Sequence, residues 1–179
     1  MKRKWFVNDT FFDKIDSEEK AYLLGFFLAD GNIILGTKCT KSYRLSVNLQ
    51  SDDIEIVKMF KDYIVPDAPI VVKDYQNKWA KHRKPIARLR WTSAHMGKVL
   101  QDLYNIKPRK TYDHDFLMNF SLIPKEFVFD FIRGYFDGDG AVSYNEETHS
   151  LQFAIYGTSV NFLNQIADLA VPTAFKIGM

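Results

Sequence analysis

Apolar and polar positions along this chain follow two periods, and each period recurs. From Tyr22 to Ala29 every residue except Gly25 is apolar or aromatic. A run apolar on nearly all sides predicts a buried helix over about 17–30, with Asp16 and Ser17 as caps. Residues 45–50 and 151–156 alternate apolar and polar, the pattern of strands with one buried face. Residues 51–62 and 157–168 open on capping residues and continue at helical spacing, with Ile56, Met59, Phe60 and Tyr63 in the first case. Two more strand-like runs, about 69–76 and 85–91, and a helix over about 93–104 complete the first series. Residues 105–124, which include Lys107, Pro108, Arg109 and Lys110, have turn residues and little periodicity, and read as a linker.

The order of these elements is itself repeated. Gly25, Asp30 and Gly31 recur 109 residues later as Gly134, Asp139 and Gly140, each set behind an apolar helical run. A strand, a capped helix and a Val-Pro pair (Val65-Pro66, Val171-Pro172) then follow in both copies. The predicted organisation is a first repeat over 1–104, a linker over 105–124 and a second repeat over 125–179. The second copy stops after its second helix, without the second hairpin and last helix of the first, and reads as incomplete. Helix, two strands, helix, two strands, helix describes an α+β layer with helices on one face of an antiparallel sheet.

Gly25 and Ala29 lie on one helical face, as do Gly134 and Gly138. Glycine inside a helix costs about 1 kcal/mol against alanine, so its use at matched positions predicts close approach of the two helix backbones. Packed in parallel, the helices bring Asp30 and Asp139 together at two C-terminal ends that already carry partial negative charge. A divalent cation resolves that conflict, and carboxylates with waters suit Mg²⁺. Gly31 and Gly140 are expected to end the helices in the left-handed conformation.

Composition narrows the class. The chain has 179 residues, 46% hydrophobic and 26% charged, which suits a folded core and not a disordered segment. Its single cysteine and four scattered histidines offer neither a disulfide nor a zinc site. No run reaches the roughly 20 apolar residues of a membrane span, and no secretory signal is visible. The net charge of +2 is small, but Lys73, Lys78, Lys81, Arg83, Lys84, Arg88 and Arg90 cluster around the single acid Asp74. Such a stripe predicts a polyanion site.

Residues 23–31 (LLGFFLADG) and 132–140 (IRGYFDGDG) resemble the LAGLIDADG signature of homing endonucleases. Leu28 departs from the motif's first Asp, which the second copy keeps as Asp137. The resemblance implies the LAGLIDADG homing endonuclease fold as a pseudo-twofold repeat of α-β-β-α-β-β-α with an antiparallel DNA-binding saddle, the second repeat incomplete. It implies a monomeric pseudo-dimer that cuts both strands of a long, pseudo-palindromic DNA site and leaves 3′ overhangs. The cofactor implied is Mg²⁺, with Mn²⁺ able to substitute, held by Asp30 and Asp139 with the adjoining Gly31 and Gly140. Gln50 resembles a polar residue beside the metal, and Arg90 resembles the basic residue that steadies the scissile phosphate.

The expected DNA surface follows the alternation. Arg44, Ser46, Asn48, Arg88 and Arg90 turn outward to read base edges, with Gln152 and Tyr156 at the matching positions of the second copy. Lys73, Tyr75, Lys78, Lys81, Arg83 and Lys84 complete the hairpin surface, where lysines suit phosphates. The alternative functions are an intron RNA maturase, with intron RNA as partner, or a catalytically inactive DNA-binding relative. A small-molecule enzyme is disfavoured, since the chain has no glycine-rich phosphate loop. The expected location is cytoplasmic in a prokaryotic or phage-encoded setting, with an organelle as the alternative, and no membrane partner.

Overall fold

Alternation in 45–50 and 85–91 builds the two central strands of an antiparallel sheet. The computed structural model describes residues 5–36, 42–74 and 84–174, with main chain alone over 171–174. The chain runs α1 (Glu18–Asp30), β1 (Gly31–Leu35), β2 (Tyr43–Gln50), α2 (Ile54–Ile64), β3 (Val71–Lys73), β4 (Ile86–Ser93), α3 (Ala94–Asp102), α4 (Val128–Asp139), β5 (Gly140–Asn145), β6 (Ser150–Ile155) and α5 (Val160–Ala174). The fold class is α+β with antiparallel sheets, consistent with the LAGLIDADG fold. Tyr75, Lys78, Lys81 and Arg83 lie outside the described residues. Among the described residues no helix is long and apolar enough to cross a membrane.

The chain divides into two compact units, Met1–Lys14 with Asp30–Gln101, and Ile15–Ala29 with Asp102–Met179. These are not the sequence repeats, because most of α1 belongs with the C-terminal segment.

The first unit holds a four-stranded sheet in the order β1-β2-β4-β3. Its register pairs Leu45 with Trp91, Val47 with Leu89 and Leu49 with Ala87, and all six are buried. Helices α2 and α3 cover that face through Val57, Phe60, Ile64, Met96 and Leu100. The Phe60 and Trp91 rings stack at 6.4 Å, and Trp91 Nε1 donates to Met96 Sδ at 3.4 Å. Ser93 caps α3, its Oγ accepting from the Met96 amide at 3.0 Å. At α2 the expected side-chain caps do not form. Ser51, Asp52 and Asp53 instead make one 3₁₀ turn that leads into the helix without a side-chain cap bond.

The second unit is built on α1, α4 and α5. Eight consecutive residues of α1, Ala21 to Leu28, are buried. The stretch read as a linker is part of this core. Phe116, Met118 and Ile123 are buried, and Phe116 and Phe120 pack their rings on Phe162 of α5. Gln165 of α5 accepts from the Met118 amide and donates to its carbonyl, each at 2.9 Å. These contacts join residues distant in sequence through main-chain atoms, which leave no periodic trace. Ser159 caps α5, accepting from the Phe162 amide at 3.3 Å and donating to the Phe116 carbonyl at 2.7 Å.

Strands β5 and β6 form a separate two-stranded sheet. Register places Val142 opposite Phe153 and Tyr144 opposite Leu151, and all four are exposed. The face expected to be buried in 151–156 is therefore open, since a lone pair of strands has few neighbours to cover it. Helix α5 also runs past Pro172 to Ala174, whereas α2 stops at Ile64, before the corresponding Val65-Pro66.

Candidate functional site

The glycines of α1 and α4 lie where the two helix backbones meet. A Cβ on Gly25 would sit 2.0 Å from the Phe131 carbonyl oxygen and 3.0 Å from the Tyr135 nitrogen. A Cβ on Gly134 would sit 2.0 Å from the Tyr22 carbonyl oxygen and 3.0 Å from the Phe26 nitrogen. Each glycine thus meets the counterparts of the residues its repeat mate meets. No larger residue fits at this separation.

That crossing brings the last turn of α4 beside the last turn of α1. Leu28, Ala29, Lys110, Tyr135, Asp139 and Tyr156 line one cavity of about 370 Å³. The two helices therefore run in the same direction. Asp139, the final residue of α4, is half-buried there. Burial pushes its carboxyl above the ordinary range, while the Lys110 charge and a hydrogen bond with Tyr135 offset part of the rise. The Tyr135 hydroxyl donates to the Tyr156 carbonyl at 2.9 Å. Burial first, and then the Asp139 charge, hold that phenol well above its usual pKa. The Tyr156 amide returns a bond to the Asp139 carbonyl at 3.0 Å, so main chain and side chain both fix this corner. The Lys110 ammonium donates to the Leu28 and Ala29 carbonyls.

Gly140 does not end α4 in the left-handed way. Its φ is −95° and ψ 167°, and no glycine among the described residues has positive φ. Helix passes straight into strand at this point. Glycine is required because a Cβ would lie 2.3 Å from the Phe136 carbonyl oxygen and 2.5 Å from its ring. Gly31 likewise opens β1, opposite Val47.

In the first unit Asp30 ends α1 and is exposed. The register puts Arg44, Ser46, Asn48 and Gln50 on one sheet face, opposite Thr92, Arg90, Arg88 and Ile86. Val71 and Lys73 extend that face along β3, and Asn32 extends it along β1. Arg44, Asn48, Gln50, Lys73 and Arg90 are exposed and Arg88 is half-buried. Ser46 differs from expectation, at 4% exposure. It pairs with Asn32 of β1 and Arg90 of β4 in the middle of the sheet, and Asn48 Nδ2 donates to its hydroxyl at 3.4 Å. Lys84 is ion-paired with Asp52. In the second unit Gln152 and Tyr156 are exposed, Gln152 opposite Ser143.

Sequence reasoning missed Lys110 and Tyr135. Tyr135 reads as one more aromatic of a buried helix, and Lys110 sits in an aperiodic stretch.

Residues 126–171, covering α4, β5, β6 and most of α5, match the family model of the LAGLIDADG-like domain. That segment is similar to a LAGLIDADG-like domain. No curated protein matches the chain. The LAGLIDADG family includes homing endonucleases and maturases, and its members generally bind DNA. The matched LAGLIDADG segment contains Gly134 and Asp139, the glycine of the helix crossing and the carboxylate at its foot.

Proposed function

We propose that this chain is a site-specific endonuclease of the homing type, hydrolysing phosphodiesters in double-stranded DNA with a divalent cation. The observation that carries the reading is the half-buried Asp139 carboxylate at the foot of a glycine-packed helix pair, in one cavity with Leu28 and Ala29 of the last turn of α1. Those donors are all oxygen, at the negative ends of two helices, which fits a hard cation such as Mg²⁺. Among the described residues no three His, Cys, Asp or Glu side chains gather. The family resemblance is what assigns Asp139 and Asp30 as the cation's ligands. When bound, the cation supplies Lewis-acid stabilisation of the scissile phosphate and lowers the pKa of a coordinated water. Tyr135 orients Asp139, Arg90 holds phosphate oxygens, and Gln50 orders water. Arg44, Asn48, Arg88 and Gln152 read base edges.

The test is incubation of a random-sequence duplex library with the protein and Mg²⁺, followed by mapping of the ends produced. A recurrent long site cut in both strands is expected. Asp30→Asn and Asp139→Asn should abolish cutting and leave gel-shift affinity near wild type. Cutting that survives both substitutions would remove the carboxylates from the chemistry. Binding to structured RNA without duplex cleavage would favour a maturase.

A further inference from the structure

Lys110 reaches onto the last turn of α1 from the segment that joins α3 to α4. The carbonyls it contacts, Leu28 and Ala29, are among those a helix leaves without an internal partner. The same side chain lines the cavity that holds Asp139. The backbone that presents it is strained. Arg109 sits at φ 63° and ψ 33°, left-handed and costly for a residue with a side chain. Lys110 then opens a 3₁₀ turn, and its side chain is half-buried. One ammonium therefore serves two helix-end carbonyls and sits beside a carboxylate. The same set of oxygens is what a hard divalent cation seeks.

We propose that Lys110 is an internal counter-ion: it holds the last turn of α1 beside Asp139 in the metal-free protein and competes with the divalent cation for that site. This rests on the assignment of Asp139 as a cation ligand. The consequence is a pair of effects with opposite sign. Removing the ammonium weakens the metal-free fold, because helix-end carbonyls and a half-buried carboxylate lose their positive partner. It strengthens cation binding, because a like charge leaves the site. A residue that only packs would not tighten cation binding when truncated.

The experiment uses the full chain, with Lys110→Met, which keeps the aliphatic stem, and Lys110→Arg, which keeps the charge. Thermal unfolding is measured in EDTA, and Mn²⁺ affinity by calorimetry or by the loss of the free-ion paramagnetic signal. Lys110→Met should unfold several degrees below wild type in EDTA and bind Mn²⁺ about tenfold more tightly. Its melting temperature should also rise more on adding Mn²⁺, and Lys110→Arg should stay near wild type in each measurement. Unchanged stability in EDTA, or Mn²⁺ affinity equal to or weaker than wild type, would overturn the proposal. If Lys110→Met does not fold in EDTA, rescue by Mn²⁺ supports the proposal and failure to rescue overturns it. Asp139→Asn separates the two levels of the argument. Wild-type Mn²⁺ binding that this substitution abolishes, with Lys110→Met unaltered, sinks the counter-ion alone. Absence of Mn²⁺ binding in wild type and Lys110→Met sinks the metal assignment and the competition with it.

Discussion

Asp139 is held in a place that suits a ligand better than it suits the fold. Burial raises its pKa, so the folded chain binds that proton more tightly than the unfolded chain does. The sign follows. Below the ordinary carboxyl value of 3.8 the group is neutral in both states and carries no penalty. As pH rises through the folded-state pKa the carboxylate ionises in a site that disfavours it, and stability is lost. In metal-free buffer Asp139→Asn should therefore melt above wild type at neutral pH, and the gap should close as the pH falls into the acid range. Thermal unfolding in EDTA across that range checks it. A variant that melts lower at neutral pH would show that attraction to Lys110 outweighs burial. At this scale the place of Asp139 at the end of α4 was legible, because it recurs in register with Asp30. Lys110 was not, because its partners on α1 are main-chain carbonyls, which any residue carries. Ser46 was placed on the right face, yet it is buried there, in a central strand with neighbours on both sides.

Helices α1 and α4 depend on glycine for contact, not for flexibility. The spacing of Gly25 and Gly134 behind matching apolar runs predicted that contact, and it is borne out because a Cβ on either would lie 2.0 Å from the Phe131 or Tyr22 carbonyl oxygen. The same glycines explain why α1 joins the C-terminal unit and not the repeat that encodes it. Gly25→Ala and Gly134→Ala would each gain about 1 kcal/mol in helix propensity. Each must also push a Cβ into a backbone oxygen that cannot swing aside, which in packed interiors costs about 1–3 kcal/mol and more where backbone is the obstacle. Both variants should lose stability on denaturant unfolding, and Gly25→Ala combined with Gly134→Ala should show non-additivity, since both changes strain one crossing. A net gain in either single variant would mean that the helices separate at little cost. The strands were legible from alternation, because the register buries one face of the first sheet as the pattern requires. The helix ends were not. Gly31 and Gly140 suggested left-handed stops, but each helix turns directly into a strand, and at Gly140 the glycine makes room for Phe136.

For the whole chain, a net charge of +2 gives little general attraction to a polyanion, so the proposed DNA affinity has to come from local surfaces. The sheet of the first unit offers one. Its polar face carries Arg44, Asn48, Arg88 and Arg90 in register, with Lys73 on β3 and Lys84 just before β4. Lys84 is bound to Asp52, but both partners are exposed, and such pairs are weak enough to release a cation to a phosphate at small cost. The two kinds of contact should separate on substitution. Lys84→Ala should weaken binding alike on cognate and scrambled duplex and lower the salt slope by about one counterion. Arg88→Ala should cost about 1–3 kcal/mol on the cognate site and relax preference at one base position. Arg90→Ala should slow cleavage more than it weakens binding, because the proposed function gives it the scissile phosphate as partner. Asp139→Asn, in the other unit, should leave affinity and salt slope as they are while cutting stops. Titrations on cognate and scrambled duplex at several salt concentrations, with cleavage assayed in parallel, distinguish these outcomes. If Lys84, Arg88 and Arg90 can all be truncated without changing affinity or slope, this sheet face is a solvated surface. DNA recognition would then have to lie elsewhere on the chain, even if Asp139 still proves essential to cutting.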